Sequence, residues 1–108
     1  MDCDLVIVAA RTNLNAASPY EGMSLIVVED GTPGFEKGRK LDKIGLHSQD
    51  TSEMAFVDCR VPAANLLGAE GHGFYFLMEK LQQERLVCAM GSQVGAEEAL
   101  RLTIEYTK

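Results

Sequence analysis

The sequence predicts an α+β fold, an antiparallel β-meander or partial barrel followed by one long α-helix of a truncated helical bundle. Several short apolar segments, separated by turn signals, occur within about the first 60 residues. After Gly73 the pattern changes: no proline follows, and apolar or small residues recur every three or four positions. This change of period near residue 70 predicts a β part at residues 1–68 and a helical part at residues 69–108.

Four segments of the first part are predicted strands. Residues 5–10 are apolar throughout, which is typical of a strand buried on both faces; because little chain precedes it, we expect the sheet to be incomplete. Residues 23–29 form a second apolar strand, and residues 35–41 form a more polar one near an edge. Residues 53–61 alternate between apolar and polar, which predicts a half-buried strand that Pro62 ends.

One helix is predicted to organise the second part. At 1.5 Å per residue, a helix from Gly73 onward is ~51 Å long, and a helix of that length needs other helices along its flank. A polar patch, Gln82 to Arg85, interrupts its apolar stripe near the middle. The stripe consists of Phe74, Met78, Leu81, Arg85, Cys88, Ser92, Gly95, Ala99, Leu102 and Tyr106.

Composition excludes several classes of function. A net charge of −6 without blocks of like charge argues against nucleic acid or an anionic membrane surface as a partner. The longest apolar run, residues 5–10, is too short to span a bilayer, and no secretory signal is expected. Three cysteines without paired spacing predict a reducing compartment, and two histidines without partners at ligand spacing predict no metal site.

Glu84 is the candidate catalytic residue. On a helix its neighbours one turn away are Lys80 and Leu81 on one side and Val87 and Cys88 on the other. The apolar neighbours would exclude water from the carboxylate, as a general base that works near neutral pH requires. The alternative is an ordinary solvated glutamate that pairs with Lys80. The pattern alone leaves both interpretations open.

Taken together, the segments resemble the acyl-CoA dehydrogenase family, in order and over nearly the whole chain. Each matching piece is weakly specific, but the series is strongly so. The matching pieces are Leu5-Val6-Ile7-Val8-Ala9-Ala10-Arg11, Gly31-Thr32-Pro33-Gly34-Phe35, Lys43-Ile44-Gly45-Leu46-His47-Ser48-Gln49-Asp50-Thr51, Met54-Ala55-Phe56-Val57-Asp58-Cys59-Arg60-Val61-Pro62, Asn65-Leu66-Leu67-Gly68, Gly71-His72-Gly73-Phe74 and Gln83-Glu84-Arg85-Leu86.

The resemblance implies an architecture and a reaction. Residues 1–68 would belong to the middle β-domain, and residues 69–108 would form the first helix of the C-terminal helical domain. Members of the family remove a proton next to the thioester carbonyl of an acyl-CoA while a hydride passes to N5 of FAD. In long-chain-like and isovaleryl-like members the base precedes an arginine on this helix. Glu84 before Arg85 matches that arrangement, although other members have their base beyond this helix.

The resemblance also implies the surroundings of Glu84. Substrate-binding positions would be Leu81, Gln82, Gln83 and Arg85, with Ser18 in a loop near the nucleotide end of CoA. The main FAD contacts are expected outside this chain, so the chain alone should be inactive. An electron-transfer flavoprotein, a homo-oligomer and a location in the mitochondrial matrix or bacterial cytoplasm are further expectations. Two alternatives stay open: an acyl-CoA oxidase, or a non-catalytic oligomerising module.

Overall fold

The computed structural model describes residues 3–108 and divides them into two compact units, with the boundary between Gly73 and Phe74. The first unit is built from strands and loops, and the second is helical. The elements are β1 (Leu5–Arg11), β2 (Met23–Glu29), β3 (Phe35–Lys40), β4 (Ser52–Phe56), a one-turn 3-10 helix (Ala63–Asn65), β5 (Leu66–Leu67) and α1 (Gly73–Thr107).

Strand β2 is the centre of the first sheet, whose order is β1-β2-β5 with antiparallel pairing throughout. Among the described residues its side chains are the most buried: Ser24 is fully buried, and Leu25 and Val28 form the hydrophobic core. The register aligns Leu5 with Glu29 on one side of β2 and Leu66 with Ile26 on the other. This centre explains why residues 23–29 are almost entirely apolar.

Strand β1 differs from its prediction. Its residues alternate between exposed and half-buried, and Leu5 and Ile7 are 54% and 55% exposed. The prediction of burial on both faces was therefore wrong for this chain, because residues 3–108 leave the face of β1 that carries Leu5 and Ile7 uncovered. A continuous apolar run does not by itself supply the second layer that would cover the outer face.

Strands β3 and β4 form a separate two-stranded antiparallel sheet, so the meander is not continuous from β2 to β3. The rings of Phe35 and Phe56 stack at its end with centroids 4.9 Å apart. β4 ends at Phe56 instead of Val61, and Asp58 has a φ of 50°, in the left-handed region, so the chain turns there. The predicted strand over residues 53–61 was therefore too long.

The segment after Pro62 contains two elements that the sequence pattern did not reveal, the 3-10 turn and β5. β5 is only two residues long, too short for a periodic signal. The side-chain amide of Asn65 donates a hydrogen bond to the carbonyl of Val27 at 2.9 Å, which fastens this segment to the central strand.

The predicted long helix is confirmed: α1 runs for 35 residues. At 1.5 Å per residue it is ~52 Å long. It begins at Gly73, where an added Cβ would lie 2.9 Å from the backbone of Ser24, so only glycine fits without movement. Most of its apolar side chains are exposed, for example Leu86 at 61% and Val94 at 65%.

The α+β class, with antiparallel strands followed by one long helix, is therefore as the sequence predicted. No helix in residues 3–108 has the combined length and apolarity that crossing a membrane demands.

Candidate functional site

A shallow groove runs along the middle of α1. It has a volume of about 540 Å³ and is lined by Lys80, Gln83, Glu84, Val87 and Cys88. These positions follow one another at steps of three, one, three and one, so the 3.6-residue period places them along one side of the helix. The neighbours that helical spacing predicted for Glu84 thus include three residues of this groove.

Glu84 lines the groove and is exposed. Val87 and Cys88, one turn further on, supply the apolar part of the lining. The water-excluded environment predicted for Glu84 is not provided by this chain's own residues, because α1 is covered on no side at this level by another described helix. What the chain provides is one apolar wall next to a carboxylate.

Lys80 is the cation closest in sequence to Glu84 on this side of the helix, but it is engaged elsewhere. Its Nζ lies 3.4 Å from Oε1 of Glu79, and both side chains are more than two-thirds exposed. Among the described residues Glu84 has no ion pair within 4.0 Å. Of the predicted alternative, a solvated glutamate that pairs with Lys80, the structure has the solvent exposure of Glu84 but not the pairing.

The other predicted substrate-binding residues divide into two groups. Gln83 lines the groove beside Glu84, whereas Leu81, Gln82 and Arg85 do not line it. Leu81 is half-buried, and Gln82 and Arg85 are exposed.

Ser18 belongs to the other unit of the chain. It is half-buried in the loop between β1 and β2, and its Oγ accepts a hydrogen bond from the backbone N–H of Tyr20 at 3.3 Å. Its carbonyl accepts a second bond, from the N–H of Glu21 at 3.1 Å. These contacts give Ser18 a local role in shaping the turn.

The groove does not form a cradle for a flavin. Its hydrogen-bond donors are the Lys80 ammonium and the Gln83 amide on a single helix face, with no run of backbone N–H groups that could hold a pyrophosphate. We therefore assign no FAD contact to it. No group of three or more metal-ligating side chains occurs within residues 3–108.

Comparison with known proteins gives consistent matches. The family model for the acyl-CoA dehydrogenase C-terminal domain matches residues 71–108. The long-chain specific acyl-CoA dehydrogenase of Sus scrofa is 52% identical over 105 residues, which is 97% of this chain and 24% of that protein.

Solved structures match as well. The crystal structure of an acyl-CoA dehydrogenase from Geobacillus kaustophilus superposes with a TM-score of 0.82 at 62% identity, over 87% of this chain and 25% of that one. A chain in the electron transferring flavoprotein structure from Acidaminococcus fermentans gives a TM-score of 0.68 at 42% identity, over 74% of this chain and 20% of that one. The chain thus spans about a quarter of the length of the relatives that it matches.

Proposed function

The chain belongs to the acyl-CoA dehydrogenase family, and we propose that it supplies one wall of the substrate site in an enzyme that oxidises acyl-CoA thioesters between the α- and β-carbons. The observation that carries this proposal is the groove on α1, where the unpaired carboxylate of Glu84 stands beside the apolar side chains of Val87 and Cys88. An acyl chain needs an apolar wall, and removal of its α-proton needs a base within reach.

In this proposal Glu84 accepts the proton from the carbon next to the thioester carbonyl. Val87 and Cys88 contact the acyl chain and help to exclude water, so that the carboxylate becomes a stronger base once the groove is covered. Lys80 stays paired with Glu79 and leaves Glu84 unneutralised. Gln83, which shares the groove, positions the thioester end of the substrate.

We assign supporting roles to the remaining predicted residues. Leu81, Gln82 and Arg85 contact the pantetheine arm from the adjacent faces of α1, and Ser18 lies near the nucleotide end of CoA. In domain terms, residues 1–68 are part of the middle β-domain, and residues 69–108 are the first helix of the C-terminal helical domain. FAD, when bound to the whole protein, supplies the oxidising equivalents of the reaction.

The proposal extends to partners and location. An electron-transfer flavoprotein is the electron acceptor, as supported by the match to the Acidaminococcus fermentans structure. The exposed apolar side chains of α1 favour a homo-oligomer or further helices as their cover. The curated mammalian relative is a mitochondrial protein, so we place this protein in the mitochondrial matrix or, in a bacterium, the cytoplasm.

One observation favours a second candidate, a non-catalytic module that assembles through α1. Large apolar side chains, Val87, Met90, Val94 and Leu100, are 60% exposed or more along this helix. Such a module would need neither Glu84 nor flavin. The experiment below separates the two.

The test uses a chimera in which this chain replaces the matching quarter of the Sus scrofa enzyme. Glu84→Gln keeps the shape of the side chain but removes the base. It should lower kcat by about 10³-fold while leaving flavin absorbance and acyl-CoA affinity nearly unchanged.

The matched control is Glu97→Gln, which changes an exposed glutamate of α1 that lies outside the groove. It should retain turnover. If Glu84→Gln turned over like the unmodified chimera, Glu84 would not be the base. If the unmodified chimera bound flavin but released hydrogen peroxide with an acyl-CoA, the oxidase alternative would be favoured.

A further inference from the structure

A second concave surface lies entirely within the β unit. It has two adjoining parts that share Thr12 and Glu70. The apolar part has a volume of about 270 Å³ and the polar part about 340 Å³. We call the whole surface the acidic cleft. Its apolar part is completed by Ile26, Val61, Pro62, Ala63 and Leu66, and its polar part by Asn13, Glu21 and Gly71.

The apolar wall of the acidic cleft is fixed to the central strand β2. Leu66 pairs with Ile26 in the sheet, and both line the cleft. The Asn65 amide donates to the carbonyl of Val27 at 2.9 Å, and the N–H of Asn65 donates to the carbonyl of Pro62 at 3.0 Å. These bonds hold the 3-10 turn, so the apolar wall exists before any partner binds.

The polar wall is fixed to the same strand through Ser24. The backbone N–H groups of Thr12 and Asn13 both donate to the carbonyl of Gly22, at 2.8 and 3.2 Å. The hydroxyls of Thr12 and Ser24 are 2.7 Å apart, and the N–H of Gly71 donates to the Ser24 Oγ at 2.9 Å. A site whose two walls are already ordered loses little conformational entropy on binding.

The charge of the cleft has one sign. Glu21 and Glu70 are its only charged lining residues, and both are exposed. Neither carboxylate has a cationic side chain of residues 3–108 within 4.0 Å. The net charge of −6 adds to the attraction for a cation. The complementary occupant therefore carries positive charge beside an apolar group.

We propose that the acidic cleft docks a partner polypeptide through an aliphatic side chain next to an arginine or lysine. The apolar part, at about 270 Å³, has room for one aliphatic anchor side chain. Glu70 stands at the junction of the two parts, where it meets the cation that follows the anchor. This proposal does not depend on the dehydrogenase activity.

The test titrates the 108-residue chain and the chimera with a labelled peptide and follows fluorescence anisotropy. The peptide is a Leu-Arg sequence with an acetylated N-terminus, a neutral Gly-Ser tail and a fluorescein label. A citrulline peptide is the matched probe, since citrulline keeps the shape of arginine without its charge. The arginine peptide should bind saturably to both proteins and about tenfold more tightly than the citrulline peptide, with an affinity that falls as salt is added.

Variants assign the binding to the cleft. Glu70→Gln should weaken binding of the arginine peptide by about 1.4-fold to fivefold, because one exposed ion pair contributes ~0.2–1 kcal/mol. Glu36→Gln removes an equal charge from β3, outside the cleft, and should leave affinity unchanged. Equal affinity for the two peptides, equal effects of the two variants, or absence of binding to the chimera would each overturn the proposal.

Discussion

Ser24→Ala is the substitution whose effect the structure defines best. Ser24 is a fully buried polar residue of the central strand. Its hydroxyl joins three segments of the β unit. It lies 2.7 Å from the Thr12 hydroxyl and accepts the N–H of Gly71 at 2.9 Å. Alanine removes one oxygen and leaves almost no cavity, so the change isolates the hydrogen bonds.

The two contacts have different costs when they are lost. Thr12 is exposed, and its hydroxyl can turn to water. The N–H of Gly71 lies in a part-buried contact and loses its partner. With ~0.5–1.5 kcal/mol for a neutral hydrogen bond and ~1–3 kcal/mol for an unsatisfied buried donor, we expect Ser24→Ala to lower the free energy of unfolding by about 2 kcal/mol.

Urea denaturation of the 108-residue chain measures this difference. At a slope of ~1–3 kcal/mol per molar urea, the midpoint should fall by about 0.7–2 M. Ser52→Ala is the matched control, because Ser52 is half-buried in β4 without a side-chain hydrogen bond to another described residue. Its effect should stay within about 0.5 kcal/mol. If the two variants unfolded at the same midpoint, the hydrogen bonds of Ser24 would not hold these segments together.

Two further predictions concern stability. Gly73→Ala places a Cβ 2.9 Å from the backbone of Ser24 and should destabilise the chain by about 1–3 kcal/mol. The Cβ of Gly91→Ala meets nothing within 4 Å, so this variant should stabilise α1 by ~0.5–1 kcal/mol. Equal shifts in the denaturation midpoint of the two variants would contradict this prediction. The ion pair of Lys37 with Asp30, 2.7 Å long, predicts a pH dependence. The hydrogen bond from Lys37 lowers the pKa of Asp30. The ionised carboxylate therefore stabilises the fold at pH values above about 3.8, and this stabilisation is lost as pH falls through the lowered pKa of the folded state. The same bond raises the pKa of Lys37, so that stabilisation is full below about 10.5 and is lost as pH rises through the raised value. Asp30→Asn leaves the hydrogen bond from Lys37 to the Cys3 carbonyl in place. This variant should be less stable than the unmodified chain between about pH 5 and 9, and the difference should shrink as pH falls through the lowered pKa of Asp30; a difference of unchanged size in acid would refute the assignment to this pair.

The helix was predictable because its signal is long. A periodic pattern without proline over residues 74–108 leaves few alternatives, and the structure places α1 at Gly73–Thr107. The start at Gly73 also has a physical reason, the close approach to Ser24, which the sequence shows only as one glycine among several nearby.

The β unit was harder to predict because its pairing depends on contacts between distant residues. The apolar run of β1 indicated burial, but exposure depends on which neighbours cover it. β5, two residues long, and the division into two sheets leave no periodic signal. The acidic cleft combines residues from 12 to 71, which are distant in sequence. One signal could have pointed to the residue that holds its polar wall: Ser24 is a polar residue among the apolar residues of β2.

The candidate site was predicted in part. Helical spacing identified the neighbours of Glu84, since positions three and four apart always share a face. It could not show that Lys80 pairs with Glu79, because that depends on side-chain rotamers. Nor could it supply the cover that would exclude water from Glu84, because the groove has one wall only among the described residues.

The central claim is that Glu84 takes the proton from the α-carbon of an acyl-CoA. Exchange of that proton with D₂O, followed by mass spectrometry of the acyl-CoA in the flavin-loaded chimera, measures the step separately from electron transfer. The account predicts rapid exchange in the unmodified chimera and a loss of about 10³-fold in Glu84→Gln, with the flavin spectrum unchanged. Undiminished exchange in Glu84→Gln would show that another group removes the proton.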